Sequence, residues 1–329
     1  MRDSRKPKRS SCESSLVRLS SFILPILFLS LLFVCASAPG QEPAKARQES
    51  ADRTVQTQMN NVMYHVGDNA AVHILKLGGE LVPTKPDSIP IFDDKNSFDL
   101  RVTAAEMAIT PQAMANVLNQ FVFNDKNSPI KDVSIQLENG LMKVKGKLKA
   151  DVSFETDSSA SVTADGKIRL HAEKIRALHM PAKGLMDLLG VEIADLIKNG
   201  KVKGVTAEKD DLILDPEQVF PPPRIQGKVS AIKLTDGQIA LTFGSPQKYQ
   251  WAKVPAQNYM WYHGNRLQFG KLTMHDTDLL LVDPDPRDPF DFDLSHYKEQ
   301  LMAGYSKTTA TFGLRTTMVD YNKLKKDKR

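Results

Sequence analysis

The feature that most restricts the fold is a strict alternation of apolar and polar residues from Met142 to Glu155. Successive side chains of a strand point to opposite faces of a sheet, so alternation is typical of a strand with one buried face. Fourteen residues at roughly 3.3 Å each would extend about 45 Å, well beyond the usual strand of five or six residues. The pattern therefore predicts one very long strand, whose apolar face needs an equally long apolar partner.

Alternation elsewhere predicts further strands, and helical spacing predicts two helices. The predicted strands occupy 71–82, 97–109, 161–164, 167–172, 203–208, 212–214, 225–234 and 238–243. Gly78-Gly79 predicts a bulge or bend in the first of them, and Asp165-Gly166 and Asp236-Gly237 predict hairpin turns. Thr110-Pro111 is typical of an N-cap followed by proline at the first helical position, and it predicts a helix that ends near Asn124. A leucine-rich stripe over 182–199, followed by Gly200, predicts the second helix. We therefore expect an α+β fold in which a long curved antiparallel sheet wraps two helices.

The composition is that of a globular protein. Hydrophobic residues make up 41% of the chain and charged residues 25%, which excludes wholesale disorder and collagen-like repeats. Both cysteines, Cys12 and Cys35, lie within the first 40 residues. The remainder of the chain therefore has no disulfide, no thiolate metal ligand and no thiol nucleophile.

The first 40 residues have the order of a secretory leader. A basic stretch that ends at Arg18 is followed by an apolar run over 22–34 and by the small residues Ala36, Ser37 and Ala38. The segment is either a signal peptide that is cleaved or an uncleaved N-terminal membrane anchor, because its length is at the lower limit for a membrane span. Both alternatives predict an exported protein, periplasmic or extracellular, and the second predicts a tethered one.

Most of the excess positive charge belongs to this leader. It holds six of the 44 Lys and Arg residues and two of the 39 Asp and Glu residues, so the exported body is near +1 although the whole chain is +5. A nearly neutral body gives no electrostatic reason to expect nucleic-acid binding. We therefore predict no nucleic-acid partner.

The chain divides by composition into four segments. After the leader (1–40), a polar linker covers 41–60, a strand-rich domain covers 61–244, and a C-terminal extension covers 245–329. The extension is rich in aromatic residues and in Asp and Pro, ends in a basic tail, and is expected to pack on the sheet. Its aromatic residues are equally compatible with a belt that faces a membrane and with an aromatic plug: Trp251, Tyr259, Trp261 and Tyr262.

Local motifs for catalysis or metal binding are scarce. The sequence contains no G-x-S-x-G, no H-E-x-x-H and no phosphate loop. The aspartates over 283–293 supply oxygen ligands of the kind that calcium prefers, but they lack the EF-hand glycine and glutamate, and Asp-Pro pairs also form turns. We predict no metal ion and no cofactor. A non-enzymatic role is favoured, although a Ser-His-Asp set from distant positions stays open.

The polar face of the alternating segment carries a row of lysines: Lys143, Lys145, Lys147 and Lys149. Such a row is typical of a solvated strand face, where lysine discourages aggregation between sheet edges. Contact with anionic lipid head groups or another polyanion is the alternative. Asp151 and Glu155 continue the same face, which favours the solvated interpretation.

The order of predicted elements resembles that of the LmeA-like periplasmic lipid-binding proteins and, more broadly, of the tubular lipid-binding (TULIP-like) superfamily. The segments IKDVSIQLENGLMKVKG (130–146) and GKVSAIKLTDGQI (227–239) carry the likeness, which covers about 98–244. In that superfamily a long curved sheet wraps a helix and leaves an apolar groove for acyl chains. The resemblance therefore implies a lipid-binding groove. Some relatives are described as phospholipases, but no catalytic residue of theirs has a matching position in this chain.

Residues and resemblance together predict one function and leave two rivals. We expect an envelope protein that binds or transfers a lipid or another apolar small molecule without covalent chemistry, with a membrane surface as a further partner. The first rival is a lipid-cleaving hydrolase, which would need a serine or a His–Asp pair at the groove mouth. The second is a scaffold that binds another envelope protein. The residues expected to line the groove are Met142, Val144, Leu148, Val152, Phe154, Leu185, Leu189 and Ile193.

Overall fold

The computed structural model of the protein describes residues 54–148, 152–177, 202–235, 237–311 and 313–326. All of them belong to one structural unit, which spans 44–329. The strands are β1 (Val55–Gly67), β2 (Ala70–Pro83), β3 (Phe98–Ile109), β4 (Ile130–Glu138), β5 (Leu141–Leu148), β6 (Ser153–Val162), β7 (Ile168–Ala177), β8 (Val205–Glu208), β9 (Asp211–Leu214), β10 (Ile225–Gln226), β11 (Val229–Thr235), β12 (Gln238–Gly244), β13 (Asn258–Gly264), β14 (Leu267–Phe269), β15 (Leu272–Met274), β16 (Thr277–Asp283), β17 (Phe290–Asp293), β18 (Tyr305–Thr308) and β19 (Leu314–Thr317). The helices are α1 (Pro111–Val117), α2 (Pro216–Val219), α3 (Tyr297–Met302) and α4 (Tyr321–Lys326). Long strands joined by short helices confirm the predicted α+β class with a long curved sheet.

The larger sheet has eleven strands. Nine of them follow the order β11-β12-β3-β2-β1-β13-β16-β19-β18, while β10 pairs with β3 and β17 pairs with β1. Most neighbours are antiparallel, but β1–β17, β3–β10 and β16–β19 are parallel. Along one edge of β1, β13 pairs with Val55 to Asn60 and β17 pairs with Val62 to His65. Asn61, where one partner replaces the other, has a left-handed backbone with φ of 52°.

The C-terminal extension is part of this sheet, which corrects the expectation that it packs on it. β13, β16, β17, β18 and β19 all come from 258–317 and continue the sheet edge to edge. The reason lies in β1, whose backbone N–H and C=O groups on the side away from β2 need partners, and β13 supplies them. Segments 61–244 and 245–329 therefore form one unit, and the predicted linker 41–60 overlaps the start of β1.

The second sheet has six strands in the order β4-β5-β6-β7-β9-β8, all antiparallel to their neighbours. The prediction of one long strand over 142–155 is wrong, because β5 ends at Leu148 and β6 begins at Ser153. The two strands form a hairpin in which Gly146 pairs with Phe154, so even-numbered residues face even-numbered partners. The apolar face therefore continues unchanged through the hairpin, and alternation alone does not distinguish this register from a single long strand.

Several shorter predictions are confirmed. α1 begins at Pro111, and the hydroxyl of Thr110 accepts a hydrogen bond from the backbone N–H of Ala113. A π-helical turn, Leu118–Val122, continues it. α1 packs against β2 of the larger sheet and β4 of the second sheet, so it joins the two. The predicted hairpins β6–β7 and β11–β12 form, and the register of β2 against β3 shifts at Gly78 and Gly79 as expected. The second predicted helix, 182–199, lies outside the described residues.

One face of the larger sheet carries buried apolar side chains in rows that run across four strands. The cross-strand pairings of β1, β2, β3 and β12 align these rows. One row contains Val62, Ile74, Met107 and Leu241, and the next contains Tyr64, Val72, Ile109 and Ile239. This face supplies much of the hydrophobic core, which is shared with the second sheet.

Gly244, at the end of β12, has no room for a side chain. Its φ is +56°, and a Cβ atom there would lie 2.0 Å from the carbonyl oxygen of Thr103. Gly140 also has a positive φ, +75°, but a Cβ atom there would meet nothing within 4 Å. We expect Gly244→Ala to lower the free energy of unfolding by about 3 kcal/mol, because backbone strain and overpacking against β3 add. Gly140→Ala should cost about 1 kcal/mol, from backbone strain alone. Urea denaturation measures both, and equal losses would contradict the close approach at Gly244.

Candidate functional site

A cavity of about 300 Å³ lies on the apolar face of the larger sheet. Its walls are formed by Phe121 of the π-helical turn, by the segment from Phe220 to Pro223, and by Leu294. Its floor is formed by side chains of β2, β3 and β12: Val72, Ile74, Leu77, Leu100, Met107, Ile109, Leu241 and Phe243. The volume is at the lower end of the range of about 300–1,000 Å³ found for small-molecule sites.

The floor is apolar because most of its side chains belong to the rows of apolar residues described above for the larger sheet. Its side chains are nearly inaccessible to water, from 0% exposed for Leu77 to 8% for Leu100. A hydrocarbon group that enters the cavity would therefore leave water for an apolar surface, which is the transfer that the hydrophobic effect favours.

The wall from Phe220 to Pro223 is stiff and anchored. Each proline ring fixes its backbone φ, so the segment has few alternative conformations. Arg224, which follows it, binds the carboxylate of Asp99 on β3 through two hydrogen bonds of 3.1 and 2.9 Å, and Asp99 is only 5% exposed. Such two-pronged contacts are geometrically specific, so the wall has a fixed position on the sheet before any ligand arrives.

Polar side chains surround the opening of the cavity. They are His65, Asp68, Lys95, Gln120, Asp293, Ser295 and His296. Of these, Asp68, Lys95, Ser295 and His296 are exposed to solvent. The cavity is therefore apolar at its floor and polar at its mouth.

The chain matches no protein-family model, no curated protein and no solved structure. Its function must therefore be inferred from the chemistry of the cavity. Among the described residues, no helix is both long and apolar enough to cross a bilayer, and the apolar run over 22–34 lies outside them.

Two His–Asp pairs lie at the mouth. Nε2 of His65 is 2.6 Å from Oδ1 of Asp291, and Nδ1 of His296 is 3.2 Å from Oδ2 of Asp293. The ring of Tyr321 contacts both imidazoles, edge-on at His65 and stacked at His296. Sequence reasoning missed the pair of His65 with Asp291, because these residues are 226 positions apart and meet only through the parallel pairing of β1 with β17. The pair of Asp293 with His296 is local, and its i,i+3 spacing is a signal that could have found it.

Tyr64, which also lines the cavity, stays neutral there. Burial raises the pKa of its hydroxyl far above the ordinary value, and the negative charge of Asp293 raises that pKa further. A neutral phenol can both donate and accept a hydrogen bond. Tyr64 therefore adds a polar group close to the mouth without adding a charge.

A second hollow, of about 370 Å³, adjoins the cavity and is mostly polar. Lys95, Leu294 and Ser295 line both spaces. Within the hollow, the carboxylate of Asp93 accepts a hydrogen bond from the hydroxyl of Tyr297 and lies 2.8 Å from Nζ of Lys298. The bond from Lys298, followed by that from Tyr297, lowers the pKa of Asp93. The apolar cavity therefore opens beside this polar hollow.

The five predicted groove residues that the structure describes do not line this cavity. Met142 and Phe154 are core residues, 2% and 7% exposed, and Val144 and Leu148 pack against the same core. Val152 is half-buried. The segment folds back as the β5–β6 hairpin, so its apolar face is short enough for the rest of the core to cover it. In this arrangement β6 packs against β11. The other three predicted residues lie outside the described part of the chain: Leu185, Leu189 and Ile193.

The lysine row forms ion pairs on the surface of the second sheet. Lys143 pairs with Glu138, Lys145 lies 3.1 Å from Glu155, and Lys147 lies 2.7 Å from Asp132. Acidic partners on neighbouring positions neutralise these three lysines. This arrangement supports the solvated-face interpretation, while Lys149 lies outside the described residues.

Three aspartates of the C-terminal segment cluster near α4. Carboxylate oxygens of Asp283, Asp288 and Asp320 lie within 4.8 Å of one another. The Nζ atom of Lys323 is 2.6 Å from Asp320 and 4.0 Å from Asp288. Burial raises the pKa of Asp283. Because the ammonium group of Lys323 already lies beside two of these carboxylates, we assign no metal ion to this cluster.

The aromatic residues of the C-terminal segment are mostly internal. Tyr259 and Tyr262 are 5% and 2% exposed, and the ring of Tyr262 meets Phe92 edge-on at 5.2 Å. Trp251 and Trp261 are half-buried, and each donates its indole N–H to an oxygen of the protein. The structure therefore favours the aromatic plug over the membrane-facing belt.

Proposed function

We propose that this protein binds an amphiphile with a single apolar chain, such as a one-chain lipid, in the cavity on the larger sheet. The observation that carries the proposal is the union of an apolar floor and a polar mouth in one cavity of about 300 Å³. The resemblance to the tubular lipid-binding superfamily points the same way. Binding and release would require no covalent chemistry.

The physical basis of binding is the burial of methylene groups. Each methylene that leaves water for the floor contributes about 0.8 kcal/mol. The stiff wall from Phe220 to Pro223 is held by Arg224 and Asp99, so little protein ordering opposes binding. The small volume favours one short chain over the two chains of a typical phospholipid.

The proposal is tested by displacement of a fluorescent acyl probe. Titrating the protein with a fatty acid that carries an environment-sensitive fluorophore should give saturable enhancement with about one site per chain. Unlabelled dodecanoate should displace the probe completely, because both need the same floor. If the fluorescence instead rises linearly with protein concentration, and dodecanoate does not displace the probe, the probe adsorbs to the protein surface. That result would contradict a defined site.

We further infer that the protein acts outside the cytoplasm. The basic flank, apolar run and small residues of 1–40 support this inference. Cell fractionation of the full chain and of a variant that lacks 1–40 provides the test. Export of the full chain and retention of the shortened one are expected, and equal distributions would argue against a leader.

A second candidate function is hydrolysis of a bound ester, and the His–Asp pairs at the mouth favour it. In the pair of His296 with Asp293, Nδ1 contacts the carboxylate, which leaves Nε2 available to accept a proton. Ser295 lines the same opening, and Ser295-His-Tyr-Lys298 has the S-x-x-K spacing. However, Nζ of Lys298 is paired with Asp93. Among the described residues, no hydrogen bond joins the Ser295 hydroxyl to an imidazole.

The leading proposal predicts binding without turnover. Incubation with a nitrophenyl ester of a medium-chain fatty acid should release nitrophenol no faster than a buffer control, because no activated hydroxyl is in place. His296→Gln should leave the rate at that background. Turnover that is saturable in the wild type and lost in both His296→Gln and Ser295→Ala would establish the hydrolase instead.

A further inference from the structure

We propose that the ligand carries an anionic head group, carboxylate or phosphate, which binds beside Lys95 at the junction of the apolar cavity and the polar hollow. The inference deepens the proposed function and rests on it. The apolar cavity would hold the chain, and the polar hollow would hold the head. Lys95, Leu294 and Ser295 are the residues common to both spaces, so a molecule that occupies both must pass them.

Lys95 is presented by a well-anchored turn. The hydroxyl of Ser97 donates to the carbonyl of Ile91 and accepts from its N–H, which closes the loop on itself. Phe92 is 3% exposed and packs edge-on against Phe269 and Tyr262, which fixes the other side of the turn. The position of Lys95 at the junction is therefore built into the fold before a ligand binds.

The acidic side chains around the junction are largely satisfied by other groups. Asp93 is paired with Lys298, and Asp293 is paired with His296. Asp94 accepts the backbone N–H of Asn96 within its own turn. Asp68 borders the apolar cavity and not the polar hollow.

Lys95 differs from its neighbours in this respect. Within the residues that the structure describes, it has no ion-pair or hydrogen-bond partner. An uncompensated ammonium at the entrance of an apolar cavity attracts an anion and disfavours a cationic head. Ser295, which is exposed and lines the same two spaces, can donate its hydroxyl hydrogen to the same anion.

The chemistry at the junction does not distinguish carboxylate from phosphate. Both are oxyanions that accept from an ammonium and a hydroxyl. The hollow, at about 370 Å³, is large enough for either. A neutral alcohol of the same chain length would bury the same methylenes but would gain no contact with the charge of Lys95.

Calorimetric titration with three matched ligands tests the inference. Dodecanoate, dodecyl phosphate and dodecanol share one chain and differ only in the head. The wild type should bind the two anions about five- to tenfold more tightly than the alcohol, as expected for one partly exposed charge contact. Lys95→Gln should remove that preference and leave the affinity for dodecanol unchanged. The head group whose affinity falls further in Lys95→Gln is the better match to the site.

A matched control is Lys126→Gln, which removes an exposed lysine that borders neither space. It should change none of the three affinities. If the wild type binds dodecanol as tightly as the anions, or if Lys95→Gln weakens all three alike, the head-group assignment is overturned while chain binding stands. If none of the three binds to folded protein, the proposed function itself fails.

Discussion

Leu241→Trp is expected to abolish most ligand binding and to leave the protein at least as stable as the wild type. Leu241 lies in the floor of the cavity and is 4% exposed. A tryptophan there would fill space that the ligand needs, displacing about three methylenes. At about 0.8 kcal/mol each, the loss corresponds to roughly 50-fold weaker binding. Filling a real cavity should raise the free energy of unfolding by about 0.5–2 kcal/mol.

The control for this variant is Leu81→Trp. Leu81 is 2% exposed, lies on β2, and does not border the cavity. In a closely packed core the same substitution should cost about 1–3 kcal/mol, because neighbouring side chains must leave their preferred rotamers. Thermal unfolding and probe titration compare the two variants. Equal destabilisation of both would show that the space beside Leu241 is already packed and would contradict the cavity.

Gln300→Leu is expected to be the most destabilising of the conservative changes proposed here. Gln300, on α3, is 0% exposed, and its side chain binds three backbone groups, two on β17 and one at Val319. Its Oε1 atom accepts from the N–H of Asp293, and its Nε2 atom donates to the carbonyls of Asp291 and Val319, at 3.0, 2.8 and 2.9 Å. Leucine has a similar size but leaves these backbone groups without partners. The free energy of unfolding should fall by about 3–5 kcal/mol.

The effect of Gln300→Leu should extend to the mouth of the cavity. β17 carries Asp291 and Asp293, which hold His65 and His296 in place. Glu299→Leu, on the exposed side of the same helix, is the control and should change stability by no more than about 0.5 kcal/mol. Urea denaturation measures both variants. A loss below 1 kcal/mol for Gln300→Leu would mean that water or another group replaces its hydrogen bonds.

Local signals in the sequence were sufficient for the elements whose cause is local. Thr110 and Pro111 start α1 because an N-cap and a first-turn proline act on their own neighbours. The hairpins and the bulge at Gly78 and Gly79 follow from turn and glycine chemistry in the same way. Alternation over 142–155 correctly indicated strands with one buried face. It did not indicate where the chain turns, because the hairpin register keeps even-numbered residues on the same face.

The candidate site was beyond local reasoning. Its floor comes from three strands, its wall from a proline segment, and its mouth from residues as distant as His65 and His296. These meet only because β17 pairs in parallel with β1, a long-range contact without a local sequence signal. Lys95 lies in an irregular connection, where no periodicity marks a side chain as important. The predicted groove residues from 142 to 154 follow the longest alternating apolar face, most of which the fold uses for its core.

The central claim, that the cavity holds an apolar chain, is tested most directly by extraction. The purified protein and its Leu241→Trp variant are each extracted with organic solvent, and the extracted molecules are identified and quantified by mass spectrometry. We predict about one acyl-bearing molecule per chain from the wild type and a large reduction from the variant. Folded wild-type protein that yields no acyl-bearing molecule, and takes up none when dodecanoate is added before extraction, would contradict the account.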